Sequence, residues 1–403
     1  MERSVLVSGG GIAGSALAFW LSRRGFRPTV VERAPDPRDG GAPVDVRGEA
    51  VDVVERMGAL DRIRRARTDI RDLRFVDDAG KRLGGVDMRR FQRDRDLEVL
   101  RGDLARILRE TAADAEHVFG DWPTELRQDS GGVEVAFRSG HVRRFGLVVG
   151  ADGLHSGVRQ LVFGPEDEFR HHLGYCAAVV TVPKELAADR SVLLHNTPGK
   201  VVALYSSGNH DDARALFLFR SPEEHDGGDR GDLEQQRQTV LDAFTGQSPK
   251  VSELLDELRR APDFFFDWLS QIRMPTWSEG RVALVGDAAH APALLSGAGS
   301  SLALVGAERL ARELGDGDDH RTAFARYENA HRPAAERGQR GTSSSARVLV
   351  PDTRFGLWTR NHLSRLAAPL TAARRPARKN AEEPKNAEEP RENAEEQSAV
   401  ETP

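Results

Sequence analysis

Val5-Leu6-Val7-Ser8-Gly9-Gly10-Gly11-Ile12-Ala13-Gly14 decides how this chain begins. Val5–Ser8 is a short apolar run suited to a buried parallel strand. It runs straight into G-x-G-x-x-G at Gly9, Gly11 and Gly14. The first glycine allows a tight turn, the second lets the backbone approach a pyrophosphate, and the third lets the next helix pack closely on the strand. The spacing predicts a helix from about Ala13 through Ala16, Leu17, Phe19, Trp20 and Leu21, stopped at Gly25. Ile12 and Ala13 stand at its start, where free N–H groups and the positive dipole end favour phosphate. Thr29-Val30-Val31-Glu32 then reads as the second strand. Glu32 follows Gly14 by 18 residues, near the spacing of about 20 for a carboxylate that holds a ribose hydroxyl. The glycines alone are a weak signal; strand, helix and acid together make it specific. An acid here fits a free 2′-hydroxyl, so NAD or FAD, and argues against NADP at this position.

With 403 residues the chain can form two domains with their own cores. Its net charge is −5, and no basic tract is interleaved with aromatics, so nucleic acid is not an expected partner. The single cysteine, Cys176, excludes an internal disulfide and a thiolate metal cluster; in Tyr175–Val180 it reads as a buried, inert thiol. No apolar run approaches the roughly 20 residues that span a bilayer. The first residues lead at once into a core strand without a signal-peptide pattern. The expectation is a cytoplasmic protein. Nothing in the sequence sets an oligomeric state.

The first 75 residues are βαβ-like, and residues 50–66 read as one amphipathic helix with Val51, Val54, Met57, Leu60 and Ile63 on one face. A helix is expected near Gly102-Asp103, then a hairpin-like stretch with alternation in Val133–Phe137 and a turn at Ser139-Gly140, and a buried strand at Leu147–Val149. From about 165 to 275 strand-like runs dominate: Ala177–Val182, Ser191–His195, Val201–Ser206 and Arg214–Arg220, with helices near Leu233–Phe244 and Val251–Ala261. Arg281–Val285 is again a buried strand, followed by helices at Ser300–Leu314 and His320–Arg332. The fold class expected is α/β: a Rossmann-like domain with an inserted antiparallel-sheet domain and C-terminal helices. The division runs 1–164 and 279–345 for the two parts of the first domain, 165–278 for the insert, 346–375 for a C-terminal helix and 376–403 for a tail. That tail repeats Asn-Ala-Glu-Glu at 380, 386 and 393 and lacks large apolar residues, so disorder is expected.

Two further segments complete a pattern: Gly150-Ala151-Asp152-Gly153-Leu154-His155-Ser156-Gly157-Val158-Arg159, and Gly286-Asp287-Ala288-Ala289-His290 leading to Gly297-Ala298-Gly299. With the N-terminal glycines, and over residues 1 to about 345, the chain resembles the single-component aromatic-ring hydroxylases. These are FAD-dependent monooxygenases of the para-hydroxybenzoate hydroxylase fold. Val44–Gly48, Ser296–Leu304 and Glu328–Gly338 resemble, more narrowly, actinobacterial antibiotic-pathway oxygenases and tetracycline-modifying enzymes.

The resemblance implies FAD as cofactor. It places Asp287 on the ribityl chain, and the helix after Gly299 and Ser300 with its N-terminus toward the flavin N1–C2=O edge, where a helix dipole favours an anion. It also places Arg101 on FAD, Arg47 beside the flavin, and Asp152 near both the FAD pyrophosphate and an incoming nicotinamide. The candidate cofactor-binding set is Gly9, Gly11, Ile12, Ala13, Gly14, Glu32, Arg33, Arg47, Arg101, Asp152, Gly286, Asp287, Gly297, Gly299 and Ser300. No catalytic residue and no metal site is assigned; His155 and His290 are expected to be structural. A substrate base, if one exists, has only His195, Tyr205 and His210 as guesses. The activity implied is oxygenation of an aromatic or polyketide-like molecule through a C4a-hydroperoxyflavin, with NADPH or NADH as transient co-substrate and O2 as oxidant. A reductase or desaturase of the same fold, and a flavin- or ligand-binding protein without turnover, stand as alternatives. The halogenase motif W-x-W-x-I-P is absent, and Ser156 lies outside a G-x-S-x-G elbow. One position departs from the family pattern: Leu294 stands where a flavin-flanking proline is usual. Phe355, Trp358, Leu363, Leu366 and Leu370 form an apolar stripe, expected to pack on the flavin domain rather than lie on a membrane surface.

Overall fold

The computed structural model describes residues 3–37, 40–88, 95–221, 233–317, 319–340 and 342–370. A six-stranded sheet holds the N-terminus. Its strands run in the order Ser278–Glu279, Val282–Leu284, Leu147–Gly150, Ser4–Ser8, Arg27–Glu32, Glu116–Phe119. All neighbours are parallel except the first pair. Val5, Leu6 and Val7 lose all contact with water, as do Leu147, Val148, Val149, Val282 and Leu284. Strands covered on both faces have no polar positions to alternate with, which is why these runs are continuously apolar. The helix Ile12–Arg23 packs on the helix Gly299–Gly315, so the chain's return closes over its own beginning.

A second, seven-stranded sheet runs Phe265–Ile272, Arg170–Pro183, Asp212–Arg220, Lys200–Ser206, Ser191–Thr197, Asp72–Val76, Arg82–Asp87. It is antiparallel except where Ser191–Thr197 meets Asp72–Val76. One face is covered by the helices Leu233–Phe244 and Pro249–Arg260. There Phe244 meets Phe217 and Phe219 edge-on at centroid distances of 5.3 and 5.7 Å. The division at residue 164 leaves 72–87 with the first domain, but these strands extend the second sheet. Their pairing partner lies more than a hundred residues downstream, and no local pattern names it. The strand Phe265–Ile272 was not anticipated either.

The expected helix over 50–66 is two, Glu49–Arg56 and Leu60–Ala66. Gly58 at φ +74° breaks it, a backbone state that other residues avoid. The apolar face survives the break: Val51, Val54, Met57, Leu60 and Ile63 are all buried. The helix His320–Arg340 runs past its expected end at Arg332 and through Pro333. In place of one C-terminal helix there are two, Thr342–Leu349 and Arg354–Leu370. The second packs on Arg82–Asp87 and Ser191–Thr197, so it braces the seven-stranded sheet and not, as expected, the domain of the six-stranded one. Arg360 is the reason. Its guanidinium lies 4.0 Å over the Phe75 ring and donates to Leu349 O (3.1 Å) and Asn196 Oδ1 (2.9 Å). The repeat-bearing tail lies outside the described residues. Among the described residues no helix is long and apolar enough to cross a membrane.

The aromatic trio makes the sheet–helix joint testable. Phe244→Ala should destabilise the chain by about 3–5 kcal/mol in chemical denaturation, the range for deleting a buried phenyl ring. A loss under about 1 kcal/mol would mean that the two helices do not seal this face.

Candidate functional site

The parallel strands Ser4–Ser8, Arg27–Glu32 and Leu147–Gly150 all end on one edge, where ligands of open α/β sheets bind. Gly9 turns there at φ +106°; a side chain would bring its Cβ to 2.4 Å from Ala151 O. At Gly14 a Cβ would lie 1.8 Å from Gly9 O, so strand and helix approach as closely as backbone allows. Gly11 is different: a Cβ there meets nothing within 4 Å. No side chain caps the helix that begins at Ile12. An uncapped helix N-terminus opening on free space is an anion cradle. Glu32 accepts from Gly10 N–H and Ala34 N–H, each at 2.9 Å, which fixes its carboxylate beside the glycine turn. Arg33 follows, exposed.

Asp152 sits just past the end of Leu147–Gly150. Its carboxylate accepts from Ser156 Oγ, from Val158 N–H (3.1 Å) and from Ser8 Oγ (3.5 Å). Burial raises its pKa above the usual carboxylate range, against the pull of those hydrogen bonds.

The return segment meets this edge from the other side. Gly286, at φ +65°, would place a Cβ 2.8 Å from Ala13 Cβ, so the loop is pressed onto the first turn of the first helix. Asp287 follows. Its side chain is open to solvent although protein surrounds it. Those surroundings raise its carboxyl; Arg101 opposes the shift and Asp267 adds to it. Gly299, at the start of the helix Gly299–Gly315, would carry a Cβ 3.8 Å from Asp287 Oδ1. Arg101 opens the helix Arg101–Thr111, and its N–H donates to Ala42 O at 3.1 Å.

A two-stranded ribbon, Pro43–Val46 with Leu97–Leu100, closes the far side. Ser300 Oγ and Ser301 Oγ both donate to Asp45 O, and Arg47 N–H donates to Ser301 Oγ. The Asp45 carboxylate pairs with Arg47 at 2.7 Å and lies 3.0 Å from where a Gly297 Cβ would be. Burial pushes Asp45 up to about 6, Arg47 pulls it down, and the facing Glu98 pushes it further up.

The structure thus gathers the candidates into two facing groups, the glycine turn with Glu32 and Asp152, and Asp287 with Arg101, Arg47, Gly297, Gly299 and Ser300. Uncapped helix starts, open space at Gly11 and a solvent-accessible carboxylate at Asp287 fit a dinucleotide, whose central pyrophosphate is flanked by hydroxyl-bearing groups. Among the described residues no group of His, Cys, Asp and Glu could hold a metal ion.

Several contributors were missed. Arg159, fully buried, donates to Ala288 O (3.1 Å) and Leu154 O (2.6 Å) and pairs with Glu166 at 2.8 Å. It ties the Asp152 segment to the return loop. The signal was visible, since Arg159 closes the second motif; nothing marked Glu166. His155 lies between Glu166 (3.0 Å) and Asp267 (3.4 Å). Burial would lower its pKa, but hydrogen bonds to Asp267 and Glu166 outweigh that and raise it to about 9. Of the three guessed bases, Tyr205 hydrogen-bonds Glu98 on the ribbon, His195 pairs with Asp78, and His210 with Asp103. Leu294 opens a short 3-10 turn, Leu294–Ser296, after Ala293 at φ +73°, and is 42% exposed. The loop is therefore bent at Ala293, directly after Pro292, with leucine at 294.

The family model described as "FAD binding domain" matches residues 2–341. An uncharacterised protein of Mycobacterium tuberculosis is 42% identical over 84% of this chain and 92% of its own length. A flavin-dependent monooxygenase of Legionella longbeachae is 37% identical, covering 86% of this chain and 90% of that protein. Among solved structures, the tetracycline destructase Tet(55) superposes with a TM-score of 0.80 at 36% identity, over 90% of this chain and 95% of that one.

His290 yields a prediction of its own. It is buried 4.7 Å from the Trp277 ring and 5.0 Å from His331, and burial lowers its pKa to about 4; His331 is also held well below its ordinary value. Folded, it stays neutral to about pH 4; unfolded, it takes a proton near 6.5. The unfolded state then binds more protons below that pH, so stability falls as pH falls. His290→Gln should flatten the decline between pH 6.5 and 4 by on the order of 1 kcal/mol per pH unit. An unchanged slope in urea titrations at several pH values would contradict the assignment.

Proposed function

The chain belongs to the FAD binding domain family and is an FAD-dependent monooxygenase of the aromatic-hydroxylase type; we propose that it uses NADPH or NADH and O2 to oxygenate an aromatic or polyketide-like small molecule. The observation that carries this reading is the junction of Gly286 with Ala13, which sets Asp287 against the glycine turn across one cleft. The tetracycline-destructase relationship favours a polycyclic, oxygen-rich substrate, in keeping with a role in antibiotic modification or secondary metabolism.

In this reading Gly9, Gly11, Ile12, Ala13 and Gly14 present N–H groups to the pyrophosphate, and Glu32 with Arg33 serves the adenosine ribose. Asp287 accepts hydrogen bonds from ribityl hydroxyls, and Arg101 offsets its charge and reaches the cofactor. Gly286, Gly297, Gly299 and Ser300 bring backbone and a helix N-terminus to the flavin, and Arg47 lies beside it. Asp152 faces the pyrophosphate and the entering nicotinamide. Bound FAD supplies the redox and oxygen-transfer chemistry; the chain supplies orientation, charge balance and exclusion of water. Residues 165–278, joined by the strands at 72–87, form the substrate domain in this proposal, and residues 1–164 with 279–345 the cofactor domain.

Purified protein should be yellow with a flavin spectrum. It should consume NADPH or NADH and O2 together when the right member of a panel of phenols, polyketides and tetracyclines is added. Oxygen-independent turnover would favour a reductase or desaturase, and flavin binding without any turnover a carrier. Asp287→Ala should weaken FAD binding by roughly tenfold or more, about 1.4 kcal/mol. Full FAD affinity in that variant, read by fluorescence titration, would displace the ribityl site from Asp287.

A further inference from the structure

We propose that His155 is a positioning residue for the cofactor site: its imidazolium pairs with Asp267 and offsets the charge that Asp267 presents to Asp287. The inference rests on the placement of the ribityl chain at Asp287, and its test separates the two. His155 follows Asp152 in the loop past Leu147–Gly150. Asp267 belongs to Phe265–Ile272, the end strand of the seven-stranded sheet. Strand alternation explains its aim. Phe266 and Trp268 pack against the apolar layer of the helices Leu233–Phe244 and Pro249–Arg260. Asp267, between them, therefore projects from the opposite face, as does its cross-strand partner Ala177. There it meets His155, and its charge also acts on Asp287.

The pairing dictates the state of the ring. His155 Nδ1 is 3.0 Å from Glu166 Oε1, and Nε2 is 3.4 Å from Asp267 Oδ1. A neutral imidazole has one N–H and one lone pair, and a lone pair turned to a carboxylate is repelled. With a carboxylate at each nitrogen, only the doubly protonated ring satisfies both. Burial opposes that charge, but hydrogen bonds to Asp267 and Glu166 prevail and raise the ring to about 9. The two carboxylates are not equivalent. Glu166 also has Arg159 at 2.8 Å and Arg170 at 3.3 Å. Among the described residues Asp267 pairs with no cation but His155. Loss of the imidazolium thus leaves Glu166 compensated and Asp267 bare. Burial already raises the Asp287 carboxyl, Arg101 opposes the shift, and Asp267 adds to it. A carboxyl that keeps its proton to higher pH is a weaker acceptor for a ribityl hydroxyl. His155 therefore keeps Asp287 ionised, and able to accept, from the other side of Asp267.

The test follows FAD release from the loaded full chain by flavin fluorescence on dilution, between about pH 5 and about pH 9. Wild-type affinity should decline as pH falls and Asp287 takes up its proton. His155→Gln should weaken binding roughly fivefold near neutral pH and move that decline to higher pH. Adding Asp267→Asn to it should restore both the affinity and the profile, because the charge that needed offsetting is gone. Asp267→Asn alone should bind FAD at least as tightly as the wild type. A merely structural clasp behaves otherwise: either single change breaks it, and the two together do not repair it. A wild-type profile in His155→Gln, or a loss that Asp267→Asn fails to restore, would overturn the proposal. Asp287→Ala separates this inference from the reading beneath it. If that variant loses FAD while His155→Gln behaves as wild type, the role of His155 fails alone. Full FAD affinity in Asp287→Ala removes the ribityl placement, and the role of His155 with it.

Discussion

The alignment of Val282–Leu284 beside Leu147–Gly150 is the constraint on which the rest depends. Val148, Val149 and Gly150 pair in parallel with Val282, Ala283 and Leu284, and Val5–Ser8 pairs on the other side. Three stretches far apart in sequence thus end on the same sheet edge. Each ends in glycine or acid: Gly9, Gly150 to Asp152, and Gly286 to Asp287. A parallel sheet imposes this, because strands running one way deliver their C-terminal loops to one rim. Without the third strand Asp287 would have no fixed relation to the glycine turn. At Gly150 itself a Cβ would come within 2.7 Å of Leu284 Cδ2, so the pairing also depends on that missing side chain.

Charge around the cleft is arranged in pairs rather than as one field. Arg159 is buried with Glu166, His155 is held between Glu166 and Asp267, and Arg47 covers Asp45. Asp45 is raised in pKa even so, and Asp287 and Asp152 are raised with it, because their surroundings disfavour the charged form. A carboxylate surrounded by protein is costly to ionise, and Arg101 near Asp287 and Arg159 near Asp152 oppose that cost without cancelling it. Hydroxyl and N–H donors on a bound dinucleotide would offset that cost, which ties these raised carboxylates to the proposed use of the site. His290 and His331 solve the opposite problem by staying neutral in an aromatic core with Trp277 and Tyr327.

Much of this was legible in the chain. The glycine turn, the helix Ile12–Arg23, Glu32 at the end of the second strand, the central strands of the second sheet and the return strand all follow from periodicity and punctuation within a dozen residues. What was misread involved partners. The strands Asp72–Val76 and Arg82–Asp87 joined the larger sheet because Ser191–Thr197 offered them an edge. The helix Arg354–Leu370 chose that same sheet because Arg360 found Phe75. Nothing in the sequence marks Glu166 among its acidic neighbours; Arg159, His155 and Arg170 close around it only in the folded chain.

By itself the sequence determined that a dinucleotide binds, because glycines at fixed spacing and an acid after the second strand are local demands of backbone geometry; the three motifs together carried the resemblance to the family and to FAD. It determined the two-part build as well, since the second glycine-and-acid motif sits after a long strand-rich insertion. Only the tertiary structure decided which side chains share the cleft, which carboxylates are raised, and where the last helix lies. Those properties depend on distances between residues a hundred or more positions apart, and on how much protein surrounds each charge. Both are set by packing, and local pattern carries no record of them.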